Sequence, residues 1–166
     1  AVREHNKLMK EHEQLFQALF SKVMKLVTTV KPSGGHLVLE WPAFNDYWKR
    51  PEVIALVNKH GLRDVKFDGC AVGLHAQESG RPIKKPWRIV TDIPEVADAF
   101  APCQCQHKPE DHELCIRKEA ERSANYTRVM AKKFHRAFAK CVARESAHQG
   151  GIPSCPAFTK PTPERK

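Results

Sequence analysis

HLVLEWP, residues 36–42, stands between a long amphipathic segment and the alternating elements that follow. It has no helical period. Its dense apolar run, closed by Gly35 before it and Pro42 at its end, is the pattern of a short buried strand. Glu40 interrupts the run between Leu39 and Trp41. A carboxylate there faces solvent at the strand's last step, pairs with a cation such as Lys84 or Arg88, or is aimed at a ligand.

Upstream of this strand, Leu8, Leu15, Phe16, Leu19, Phe20, Val23, Leu26, Val27 and Val30 recur at spacings of three, four and seven. That is the stripe of an amphipathic helix over the first thirty residues, which Pro32 and the turn Ser33-Gly34-Gly35 then end. Downstream, aromatic-rich PAFNDYW reads as a loop. Pro51 suits the first position of a helix to about His60, stopped by Gly61. DVKFDGCAVGL begins as a second strand, residues 75–86 form a polar connection, and WRIVT reads as a third strand. Thr91 or Asp92 then caps a short helix from Pro94 to Phe100. This alternation predicts an α/β fold with a small, mostly parallel sheet and crossover helices. One domain is expected over residues 1–145, holding a Cys/His loop at 101–116 and a long basic helix at 117–145. A Pro-rich tail follows at 146–166.

Charge narrows the partners. Twenty-eight Lys and Arg against nineteen Asp and Glu give +9 over 166 residues, a balance that favours polyanions such as nucleic acid or anionic lipid. No apolar run approaches the roughly 18 residues of a membrane span, and AVREHNKLMKEHEQ lacks the apolar core of a signal peptide. The expectation is an intracellular protein, nuclear or cytoplasmic, with no membrane partner. Asp46, Asp64, Asp68 and Asp92 fall on separate elements and show no paired-metal signature of a nuclease or hydrolase.

The first constellation is APCQCQHKPEDHELC, which offers Cys103, Cys105, His107, His112 and Cys115. Thiolate and imidazole at such density suit tetrahedral zinc in a structural role, giving a fixed shape to a segment with few apolar groups of its own. The spacing matches no common zinc finger, and Cys70 is a further ligand that the fold can bring in from a distance. The same residues also read as a loop of free thiols and surface histidines. Clustering of Cys with His favours a metal over disulfides and a reducing compartment.

The second constellation is the basic helix. Arg117, Lys118, Arg122, Arg128, Lys132, Lys133, Arg136, Lys140 and Arg144 accompany an apolar stripe of Val129, Met130, Phe134, Ala137, Phe138, Cys141 and Val142. Such a helix docks by its stripe and presents cations, with Arg128, Lys132, Lys133 and Arg136 central, that neutralise phosphates without reading sequence. A solvated amphipathic helix explains the same pattern.

VKPSGGHLVLEWP and DGCAVGLHAQESGRPIKKPWRIVTD together resemble the cytosine-5 DNA methyltransferases. In that family a helix ending in Lys-Pro leads to a strand closing on a glutamate, and an arginine run opens a later strand. Closer still is the resemblance to methyltransferase-like domains of retroelement polyproteins. There Glu-x-Pro, a following Trp, Asp-x-Cys before a glycine and a Lys-Lys-Pro run stand in the order of Glu40, Pro42, Trp48, Asp68, Cys70, Gly73, Lys84, Lys85 and Pro86. The likeness covers about residues 20–115. It implies the C-terminal half of a Rossmann-like domain, with Glu40 as the acid that recognises a flipped base and Arg81, Lys84, Lys85 and Arg88 on phosphate. The family's Gly-rich cofactor loop and Pro-Pro-Cys nucleophile do not occur here. S-adenosylmethionine is therefore expected only if an upstream segment or complementary domain of a larger polyprotein completes the site, and the chain alone is expected not to methylate. The other reading is a zinc-stabilised basic structural subunit of a ribonucleoprotein or protein assembly, with no active site.

Overall fold

A computed structural model describes residues 2–148. Cys155 and all of the expected tail beyond residue 148 lie outside the described residues. The first element, α1 (Val2–Val30), forms where its apolar period places it. It ends through Lys31 and a turn in which Gly34 takes a φ of 77°. Gly35 is required by space: a Cβ there would lie 2.9 Å from the Val30 carbonyl oxygen. The chain then enters β1 (Val38–Pro42), passes through a 3-10 turn at Asp46–Lys49 and forms α2 (Pro51–Lys59), with Pro51 at its start. Next come β2 (Arg63–Asp68), a second 3-10 turn at Gly69–Val72, β3 (Pro86–Thr91) and α3 (Pro94–Phe100).

The sheet corrects the expected topology. Its order is β1-β3-β2, and β3 runs antiparallel to both neighbours. The α2 crossover does leave β1 and β2 pointing the same way, as a βαβ unit requires, but the two strands do not pair. The reason lies in residues 69–85, which contain no crossover helix. Leu74 N donates to Gly69 O at 2.9 Å, His75 pairs with Pro82, and Ile83 N donates to Leu74 O at 2.9 Å, so the chain doubles back on itself. A strand entered by such a return runs antiparallel to the one it left, and the slot between β1 and β2 receives it. The mostly parallel, Rossmann-like sheet is therefore not formed.

Being central, β3 is covered on both faces. Trp87 and Ile89 join Val65 and Phe67 of β2 under α3 and a later helix, whereas Val90 turns to the other face and packs with Phe16, Phe20, Leu37, Trp48, Val53 and Leu56. The result is a layer of α1 and α2, a three-stranded sheet, and a second helical layer. Neither Thr91 nor Asp92 caps α3 through its first turn. Thr91 Oγ1 accepts from Ile93 N at 3.1 Å, and Asp92 accepts from Leu37 N at 2.8 Å and pairs with Lys31.

The single helix expected over 117–145 is two, α4 (Arg117–Arg122) and α5 (Arg128–His148). Thr127 explains the break: its Oγ1 accepts from Met130 N at 3.0 Å, which starts α5 afresh. Through residue 148 the expected tail is still helix.

Candidate metal centre and cationic groove

At the end of β2 the chain reads Asp68-Gly69-Cys70. Asp68 is buried, and it anchors the Cys/His loop twice: its N–H donates to Cys103 O and its Oδ2 accepts from Cys105 N, both at 2.9 Å. Gln104 adds a bond from Nε2 to Lys66 O at 2.8 Å. These bonds bring Cys70, Cys105, His107 and His112 together, with one potential ligand atom from each lying within 4.8 Å of all the others. Cys105 Sγ lies 3.2 Å from His112 Nε2 and 3.7 Å from His107 Nδ1. Ligand bonds of about 2.0–2.3 Å in a tetrahedron put donor atoms roughly 3.3–3.8 Å apart; the two Cys105 separations are close to that range, and the other pairs lie within 4.8 Å.

The hydrogen bonding of His112 is consistent with ligation. His112 Nδ1 lies 3.3 Å from Pro109 O. A carbonyl only accepts, so Nδ1 carries the proton and Nε2 keeps its lone pair for the cluster, as outer partners of metal-bound histidines commonly arrange. Burial, and then the neighbouring Cys105, push the Cys70 thiol up to about 12. A bound dication supplies the charge that two adjacent thiolates need.

Two of the expected ligands are not brought to the group. Cys103 sits in the turn closing α3, its Sγ directed to Ala99 O at 3.6 Å. Cys115 Sγ lies 3.3 Å from Ser123 Oγ. Cys70 takes its place among the donors from thirty-odd residues upstream, which linear spacing does not reveal.

The expected phosphate contacts separate in the same way. Arg81 holds the Cys/His loop through the carbonyls of Glu110 and Asp111. Lys85 Nζ donates to Ser123 O at 3.0 Å and lies 5.8 Å from the Trp87 ring centroid. Arg88 forks onto Asp64 and stacks on Trp48 at 4.4 Å. Lys84 alone of these four is exposed with no ion pair or side-chain hydrogen bond among the described residues.

Glu40 is neither solvent-facing nor paired with Lys84 or Arg88. Its Oε2 accepts from Tyr126 OH at 2.6 Å, while Oε1 is buried with no partner. Burial raises its pKa, outweighing the Tyr126 bond and the Lys85 charge. Upstream of Glu40, where the resemblance places the cofactor loop, α1 leads through the Ser33-Gly34-Gly35 turn straight into β1, so the residues present do not by themselves fit S-adenosylmethionine.

On the outer helical layer, α3 and α5 bound a groove of about 810 Å³ lined by Lys132, Lys133, Arg136 and Lys140 together with Glu95 and Asp98. Those two acids are already engaged, Glu95 with Arg144 at 2.6 Å and Asp98 with Arg63 at 2.7 Å. Among the described residues none of the four lining cations is in an ion pair, so the groove is left net positive. Arg128 lies apart from it, in a smaller hollow beside Arg122 and Thr127.

A second cluster joins His36, Cys141 and Glu145. There Arg144 Nη2 lies 3.4 Å from Cys141 Sγ and 3.7 Å from Glu145 Oε1, so a guanidinium already supplies the positive charge. His36 bridges Asp92 and Glu145 at 3.4 and 3.0 Å. The cluster ties α5 to the loop before β1 and to the β3–α3 turn. No described helix is long and apolar enough to cross a membrane. No family model, curated protein or solved structure matches the chain.

Proposed function

We propose that the chain is a nucleic-acid-binding domain that engages phosphates along the α3/α5 groove and is held in shape by a structural zinc ion on Cys70, Cys105, His107 and His112. One observation carries the binding surface. Lys132, Lys133, Arg136 and Lys140 line a single groove whose carboxylates are spent on Arg144 and Arg63. Unpaired cations in a row are what a phosphate backbone recruits, releasing its counterions. Zinc suits two thiolates and two imidazoles gathered within 4.8 Å of one another, and four protein ligands leave no open position for catalysis.

The test is fluorescence anisotropy with labelled single- and double-stranded DNA and RNA over a salt series, comparing the native chain with Lys132→Ala/Lys133→Ala/Arg136→Ala. If all three cations meet phosphate, the variant weakens binding to every sequence. It also lowers the slope of log affinity against log salt on duplex DNA by about 2 to 3. Equal slopes for the two proteins, or no binding at low salt, overturn the reading.

A further inference from the structure

Helix α1 has two apolar faces, and the fold uses one. Phe16, Phe20 and Val27 are buried against the sheet, whereas Leu8, Leu15, Leu19 and Leu26 are 51%, 56%, 53% and 63% exposed. With His12 and Lys22, these leucines fall at positions 8, 12, 15, 19, 22 and 26, alternating steps of four and three. That is the seam of a two-stranded coiled coil, running beside the face that packs on the domain. Every residue from Asn6 to His12 is exposed. Among the described residues, no side-chain hydrogen bond or ion pair ties that segment to the rest of the domain; Lys7 pairs only with Glu11 of the same helix, at 3.8 Å.

We infer that this seam is an interface for a second copy of the chain, with the two α1 helices antiparallel. The charge pattern selects both the occupant and the direction. All the carboxylates of α1, Glu4, Glu11 and Glu13, lie in its first half, balanced there by Arg3, Lys7 and Lys10, whereas the second half carries Lys22 and Lys25 and no carboxylate. Glu13 is committed to Arg50 of its own domain. Antiparallel pairing about position 17 sets Leu8 opposite Leu26 and Leu15 opposite Leu19. It also places Lys22 against the partner's His12 and Glu11, and two-fold symmetry repeats each contact. Parallel pairing would stack Lys22 on Lys22 in a half of the helix that has no carboxylate to offset it. The seam from Leu8 to Leu26 is about 27 Å long, which suits an interface at the small end of the standard range. A dimer sensitive to concentration follows.

Sedimentation equilibrium of the full chain over a concentration series tests this. The expected result is a mass rising from 18.9 kDa to twice that value. Leu15→Glu/Leu19→Glu, at exposed positions, should stay monomeric with an unchanged circular dichroism spectrum. Glu11→Lys should raise the dimer dissociation constant several-fold, and Glu11→Lys/Lys22→Glu should restore it. Zero-length carbodiimide coupling followed by mass spectrometry reports direction. Glu11 and Lys22 of one helix stand about 16 Å apart along its axis, so a Glu11–Lys22 link must join two chains. A chain monomeric at every concentration leaves the seam to some other occupant and overturns the inference. So does a dimer indifferent to the leucine and charge variants, or one without the Glu11–Lys22 link.

Discussion

Glu40 and Asp92 are both partly buried carboxylates near the edges of the same sheet, and they respond to pH in opposite directions. Burial raises Glu40, and the Tyr126 hydroxyl and the Lys85 charge do not compensate. Burial also acts to raise Asp92, but bonds from Lys31 and Leu37 and the charges of Lys31 and His36 overcome it and hold the carboxyl below its usual 3.8. A raised acid holds its proton more tightly when folded, so ionised Glu40 costs stability at neutral pH. That cost is relieved as pH falls through its folded value towards 4.5. A depressed acid does the reverse, and the Asp92 contribution is present above 3.8 and lost as pH falls below it. Urea unfolding as a function of pH separates them. Glu40→Gln should be more stable than the native chain at pH 7 and converge with it on acidification, whereas Asp92→Asn should be less stable by about 1–2 kcal/mol at pH 7. Absorbance titration adds a check on the pair itself. Burial and then Glu40 hold Tyr126 up to about 12, and Glu40→Gln should bring it down. An unmoved Tyr126 would break the assignment of that bond. None of this was legible in HLVLEWP, because Tyr126 reaches Glu40 from eighty-six residues away.

The decisive element is the return from β2 to β3. Helices and strands could be placed from local patterns: the apolar period of α1, Pro51 and Gly61 bracketing α2, and the β-rich runs VKF and WRIV. Strand direction depends instead on how residues 69–85 close, and closure depends on Gly69. A Cβ there would stand 2.8 Å from Leu74 Cδ2 and 3.1 Å from Lys85 O. Gly69 N also donates to Lys85 O at 2.8 Å, so the backbone cannot simply retreat. Gly69→Ala is expected to cost about 1–3 kcal/mol by overpacking. It should also weaken metal binding, since Cys70 is next in the chain; a denaturation midpoint equal to the native one counts against this account. The same dependence on closure divides the basic helix. Its cations and apolar stripe were visible in the sequence, but Thr127 restarts it, leaving Arg128 in one hollow and Lys132, Lys133, Arg136 and Lys140 in another.

Across the whole molecule the candidate metal centre acts as a clasp joining the end of β2 to the loop after α3, and its ligand set separates linear from spatial reasoning. Native chain and Cys103→Ser should each carry about one zinc by elemental analysis, whereas Cys70→Ser and Cys105→Ser should lose it. Chelation should lower the melting temperature of the first two and leave the last two unchanged, because an ion bound only by the folded state adds its binding energy to stability. Zinc retained by Cys70→Ser but lost from Cys103→Ser would return the site to the linear cluster. Local sequence was enough to place the three strands and the helices α1, α2 and α3, to show the clustering of Cys with His and to show the excess of cations, because these follow from periodicity, chain breakers and composition over short distances. The folded arrangement was needed to show that β3 lies antiparallel between β1 and β2, that Cys70 rather than Cys103 or Cys115 joins the candidate ligands, and which cations remain unpaired. Each of those outcomes depends on which distant segments share space, through backbone closure, burial and competition for charge partners, and no local pattern encodes that.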